Sequence, residues 1–154
     1  MPQGPSDGLQ VGYSNEVGLA LSQVLGSVLT GGAFYALSVD VLSRIDCCFH
    51  VSTTLQLLTA DDEILAQSTL GALDPGASTT LTATYLADHA SVLLGKNLKI
   101  ALIAGGGQSD WDNVRLDARV PDAEEGNHVP EPASLALLGL GLAVLGVTRW
   151  RKAG

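Results

Sequence analysis

The sequence predicts an all-β protein: an antiparallel β-sandwich followed by a linker and one apolar C-terminal helix. Three observations predict it. Apolar and polar residues alternate with a period of two in successive short segments up to about residue 120, as strands with one buried face require. Glycine-, proline- and aspartate-rich clusters separate those segments. Near the chain end an uncharged apolar run, Ala133 to Thr148, is followed by the basic cluster Arg149-Trp150-Arg151-Lys152.

The elements follow in order. Leu19 to Leu29 reads as a strand before the turn signal Thr30-Gly31-Gly32. Tyr35, Leu37, Val39 and Val41 then alternate with Ala36, Ser38 and Asp40. Leu55 and Leu57 follow Ser52-Thr53-Thr54, and Ala60-Asp61-Asp62-Glu63 marks the turn into Ile64 to Thr69. After Asp74-Pro75-Gly76, Leu81, Ala83 and Tyr85 alternate with Thr80, Thr82 and Thr84. Ala87 to Leu94 suits a short helical turn. Leu98, Ile100, Leu102 and Ala104 form the next strand, Gly105-Gly106-Gly107 a flexible turn, and Trp111 to Val120 the last strand. Seven or eight short strands at this spacing favour a sandwich.

Charge divides the chain. Before Pro130 there are five Lys or Arg (Arg44, Lys96, Lys99, Arg115, Arg119) against fifteen Asp or Glu, whereas the tail is net positive. An acidic body lacks the basic footprint that nucleic acid needs, so no nucleic-acid partner is expected. With 154 residues and 46% hydrophobic content there is material for one cored domain, residues 1–120, and a tail. Residues 121–128, Pro-Asp-Ala-Glu-Glu-Gly-Asn-His, are polar and acidic and read as a solvated linker.

The tail, residues 129–154, has a physical logic of its own. Ala133 to Thr148 is sixteen residues without a charge. As a helix it would be about 24 Å long, a short span for a hydrocarbon core of about 30 Å. Trp150 suits the headgroup level, while Arg149, Arg151 and Lys152 act as a basic stop that holds the C-terminus in the cytoplasm. The other reading, a buried core helix, fits less well because the run is apolar on every side. Pro130 and Pro132 hold Val129 and Glu131 extended, a preorganised shape suited to a protease or transpeptidase cleft. The order Val129-Pro130-Glu131-Pro132, apolar span, basic end resembles the PEP-CTERM sorting signal. That resemblance implies an exosortase as partner, a transient membrane anchor in the inner membrane with the domain on the outer side, and cell-surface or extracellular delivery after processing. The N-terminus, Met1 to Gly8, shows no signal segment and reads as a truncated start; a cytosolic domain on a tail anchor is the competing arrangement.

A second resemblance covers roughly residues 7 to 120. Ser22-Gln23-Val24-Leu25-Gly26, Thr30-Gly31-Gly32, Tyr35 to Asp40 and Asp112 to Ala118 resemble the galactose-binding-like, carbohydrate-binding jelly rolls that precede such tails. The family's usual first strand is not matched, so the resemblance implies a jelly roll missing its first strand. It also implies glycan or exopolysaccharide association and a structural calcium, with Asp112 as the ligand candidate. Calcium needs six to eight oxygens, and Asp112 with Asp7 or Asp110 supplies few, so satisfying loop backbone is the favoured role of Asp112. Trp111 is the one aromatic placed to serve a sugar, and core packing is the favoured role for it too.

Catalytic constellations are not visible, and no enzyme is expected. His50, His89 and His128 lack metal-ligand spacing, and the triple glycine does not open a helix. Cys47 and Cys48 are adjacent; in a strand they would face opposite sides, which disfavours an ordinary disulfide between them. The expected function is a non-catalytic, exported surface or matrix protein. The alternatives are an envelope hydrolase whose catalytic part is missing and a tail-anchored membrane protein.

Overall fold

The computed structural model describes residues 9–120. Eight strands are present there: β1 (Gly12–Ser14), β2 (Ala20–Val28), β3 (Phe34–Leu42), β4 (Thr53–Thr59), β5 (Ile64–Leu70), β6 (Ser78–Leu86), β7 (Asn97–Ala104) and β8 (Ser109–Arg119). They form two four-stranded sheets in the orders β1-β8-β3-β6 and β2-β7-β4-β5. Every pairing is antiparallel. Eight strands in two such sheets make a jelly roll, and the expected sandwich is what these residues form. The linker 121–128, the elbow Val129 to Pro132, the helix expected at 133–148 and the basic stop lie outside the described residues. Among the described residues, no helix is long and apolar enough to cross a membrane.

Period-two alternation places the core. On β3, Tyr35, Leu37, Val39 and Val41 are buried, while Ala36, Ser38 and Asp40 lie partly exposed on the other face. Leu55 and Leu57 of β4, Leu81 and Ala83 of β6, and Leu98, Leu102 and Ala104 of β7 meet them in one cluster. Full burial of each large aliphatic side chain is worth about 1.5–3 kcal/mol, so this cluster dominates the sandwich's stability. The outer faces are held by polar cross-strand pairs instead. Thr54 and Thr69 share a hydroxyl hydrogen bond of 2.9 Å, and Gln56 donates to Gln67 at 3.2 Å. Tyr35 is amphipathic in place: its ring is in the core while its hydroxyl accepts the Thr30 N–H at 2.8 Å.

Three local features lie beyond the sequence expectations. First, β1, a short strand that the sequence reading did not include, fills the edge beside β8. Three residues that begin with Gly12 are too few to show a period, which hides the strand from sequence reading. Second, Ala87 to Leu94 runs as successive turns. Asp88 Oδ1 accepts the Ala90 N–H at 2.9 Å, and the Leu94 and Lys96 N–H groups bond three residues back, to Ser91 and Leu93. Local side-chain bonds of this kind compete with a helix, and Gly95 at φ 81° ends the segment. Third, Cys47 and Cys48 are in the loop between β3 and β4 and not in a strand.

The Thr30-Gly31-Gly32 turn requires its glycines. Gly32 has φ 75°, and a Cβ there would overlap the His89 imidazole. A side chain at residue 32 would have to displace the exposed His89 imidazole and hold a left-handed φ, which glycine does without strain.

Candidate functional site

The two sheets close unevenly. At one side β5 and β6 carry the partly buried Leu65, Leu70 and Tyr85 against the core. At the other, edge strand β2 packs Leu25 against the core but leaves three apolar residues largely open: Leu21 is 44%, Val24 53% and Val28 44% exposed. Between β2 and β7 of one sheet and β8 of the other lies an open groove of about 220 Å³. Its lining is Leu21, Ser22, Gln23, Ile100, Leu102 and Val114.

Two irregularities shape it. The β2–β7 register shifts between Val24, opposite Lys99, and Val28, opposite Asn97, so the ladder is irregular just beyond the groove-lining half of β2. On β8 a bulge sets Asn113 and Val114 together against Val39, since Ser38 pairs with Arg115 and Asp40 with Asp112. Asn113 takes φ 53°, a left-handed conformation that Asn tolerates better than most residues. Its Nδ2 donates to Asp40 Oδ2 at 3.0 Å, and Thr80 Oγ1 donates to Asp40 Oδ1 at 2.6 Å. The bulge is thereby tied across three strands, and it shifts the alternation so that Val114 joins the groove.

The chemistry of this groove is uncharged. Four aliphatic side chains supply apolar surface, while Ser22 and Gln23 supply neutral donors and acceptors. Such a lining can hold the apolar face of a small ligand and orient one or two polar groups.

The residues expected from the sequence to form a site are elsewhere. Trp111 is in the core at 2% exposure, and its indole N–H donates to Thr53 Oγ1 at 3.0 Å. Thr53 Oγ1 also bonds His50 Nε2 at 2.9 Å, leaving His50 Nδ1 buried without a partner. Burial lowers the His50 pKa, and the nearby Asp110 carboxylate opposes that only in part. Asp112 Oδ1 accepts the Asn113 N–H at 2.8 Å, so this carboxylate supports the bulge backbone. Among the described residues no three His, Cys, Asp or Glu side chains gather as metal ligands, and Asp7 lies outside them. The groove itself escapes sequence reading: β2 shows apolar residues at strand spacing, which predicts burial, and only the register shift and bulge leave them open.

Comparison with known proteins places this geometry. The PEP-CTERM protein-sorting motif matches residues 128–152, and the profile described as HpiC1-like, HpiC1 cyclase, matches residues 1–117. No curated protein matches the chain. Among solved structures, a cyclase from Fischerella sp. TAU in complex with 4-(1H-indol-3-yl)butan-2-one is 27% identical, with a TM-score of 0.64 over 77% of this chain and 68% of that one. A second Fischerella sp. TAU cyclase, Fisc, is 25% identical with a TM-score of 0.63 over 76% of this chain and 67% of that one. The chain thus spans about two thirds of the length of these cyclases. A carbohydrate-binding module, CBM4, is 16% identical with a TM-score of 0.51 over 71% of each chain, a likeness of fold. The carbohydrate-binding resemblance of the sequence is therefore one of architecture, and with residues 1–117 matched the chain belongs to the HpiC1 cyclase-like family.

Proposed function

We propose that this chain is an exported, non-catalytic surface or matrix protein, delivered by an exosortase acting at Val129-Pro130-Glu131-Pro132, with its jelly roll serving as a binding module. The observation that carries the reading is the sorting motif at 128–152, joined to an apolar run and a basic stop in the order such a signal needs. Arg149, Arg151 and Lys152 hold the C-terminus in the cytoplasm, and cleavage near the elbow frees the acidic domain outside. The membrane is thus a transient partner.

The groove favours an uncharged ligand. A sugar ring offers aliphatic C–H faces to Leu21, Ile100, Leu102 and Val114, and hydroxyls to Ser22 and Gln23, so exopolysaccharide or another glycan fits its chemistry.

A second reading rests on the family. A 27% identical cyclase holds an indole ketone, and an indole is also flat, mainly apolar and able to hydrogen-bond at one edge. In this reading the domain is a small-molecule cyclase. Titration with neutral polysaccharides and with 4-(1H-indol-3-yl)butan-2-one separates the two by which one shifts the melting temperature.

The export reading is tested by replacing Pro130, Glu131 and Pro132 with alanine in a host that carries an exosortase. Expected is retention of the full-length chain in the inner membrane. Unchanged processing and release would overturn the assignment.

A further inference from the structure

We propose that Cys47 and Cys48 are a reversible redox modification site, closing on each other as a vicinal disulfide on the surface of the sandwich. The two thiols are exposed, and their Sγ atoms are 2.9 Å apart. Adjacent residues in a strand point to opposite faces, so this approach needs a special backbone, and the loop supplies one. Cys48 takes φ 57°, left-handed, which swings its side chain to the side of Cys47. That conformation is costly for a non-glycine residue and persists only where its surroundings enforce it.

The surroundings do enforce it. The Cys48 carbonyl accepts the Gln108 N–H at 2.9 Å. Gly107, at φ 64°, is so close beneath the loop that a Cβ there would overlap the Phe49 carbonyl oxygen. Upstream, Arg44 grips Asp46 through two hydrogen bonds of 2.9 and 2.7 Å, and Asp46 Oδ1 accepts the Cys47 N–H at 3.0 Å. The Arg44 hydrogen bond holds the Asp46 carboxyl down to about 2, so the clamp is charged at any physiological pH. Both ends of the dipeptide are thus fixed by groups other than the thiols.

Closure from this state moves each sulfur little. A disulfide bond is about 2.05 Å long, so the sulfurs approach by roughly 0.9 Å. The step is thiol–disulfide exchange with a disulfide oxidant. One thiolate attacks a sulfur of the oxidant, forming a mixed disulfide and expelling one thiolate. The second cysteine then attacks the protein sulfur of that mixed disulfide, forming the Cys47–Cys48 bond and expelling the other thiolate. Two protein thiols lose two electrons and two protons, and the oxidant becomes two thiols. The Cα atoms of adjacent residues are about 3.8 Å apart, below the usual disulfide range of about 4.4–6.8 Å, so the ring is strained and easily reopened. Strained, exposed disulfides are the labile and regulatory ones.

The test uses the full chain in mild detergent, equilibrated with mixtures of glutathione disulfide and glutathione and then alkylated. Expected at the oxidising end is a monomer that takes no alkyl group, is lighter by two hydrogen atoms, and keeps its far-UV circular dichroism. Cys47→Ser and Cys48→Ser should each give a glutathione adduct instead, and excess glutathione should return both thiols in the native chain. Two alkyl groups at the oxidising end, a persistent glutathione adduct on the native chain, or a disulfide-linked dimer as the main product would each overturn the proposal.

Discussion

Thr53→Val isolates the polar chain that locks the two sheets together. Thr53 Oγ1 is the shared partner of the Trp111 indole N–H at 3.0 Å and of His50 Nε2 at 2.9 Å, with all three residues buried. Valine keeps the shape and the strand preference of threonine but removes the hydroxyl. Two buried polar atoms then lose their partner. Each costs about 1–3 kcal/mol, so the loss is about 2–6 kcal/mol in all. Because His50 Nδ1 already lacks a partner, the imidazole has no second bond to fall back on. With a urea m-value of about 1–3 kcal/mol per molar, the midpoint should fall by about 1–3 M at unchanged m. Far-UV circular dichroism of the chain in mild detergent reads it. In a Trp111→Phe background, which lacks the indole donor, the same change should cost about 1 kcal/mol less. A midpoint within about 0.3 M of the parent, or strict additivity of the two changes, would refute this reasoning.

Two further outcomes follow from the same structure. His50 has a pKa lowered from 6.5 by burial, so the unfolded chain takes up its proton first; stability should be full above about pH 6.5 and fall as the pH drops toward the depressed native value. Urea midpoints across that range check this, and a midpoint that rises on acidification in the parent but not in His50→Gln would contradict it. Leu21 is 44% exposed on the groove wall, so Leu21→Glu should leave the fold within about 0.5 kcal/mol while weakening an uncharged ligand's binding at least tenfold. Calorimetry with whichever of the polysaccharide or indole probes binds the parent decides this, and undiminished affinity would remove the groove from the site.

The sandwich was legible because its strands alternate cleanly where both neighbours are strands. Tyr35 to Val41 and Leu98 to Ala104 show the period and occupy inner positions in their sheets. Gly12–Ser14 was not legible, since three residues carry no period, and its place is set by pairing with Trp111, Asp110 and Ser109 a hundred residues away. The groove was hidden for a related reason. Leu21 and Val114 look like core residues in sequence, and only a register shift in β2 and a bulge at Asn113 leave them uncovered. Trp111 and Asp112 invite a functional reading by residue type alone; their partners Thr53 and Asn113 are what give them roles in packing and in the bulge. The closeness of the Cys47 and Cys48 thiols likewise depends on a left-handed φ that no pattern announces.

The central claim is that the tail is a temporary anchor and the acidic sandwich the lasting product. The most direct measurement is the intact mass and C-terminal residue of the protein recovered from outside exosortase-bearing cells. A form that ends at or near Pro130-Glu131-Pro132 and lacks the apolar run Ala133 to Thr148 and its basic stop is the predicted result. A full-length chain ending at Gly154, found only in the cytoplasmic membrane of the same cells, would contradict it.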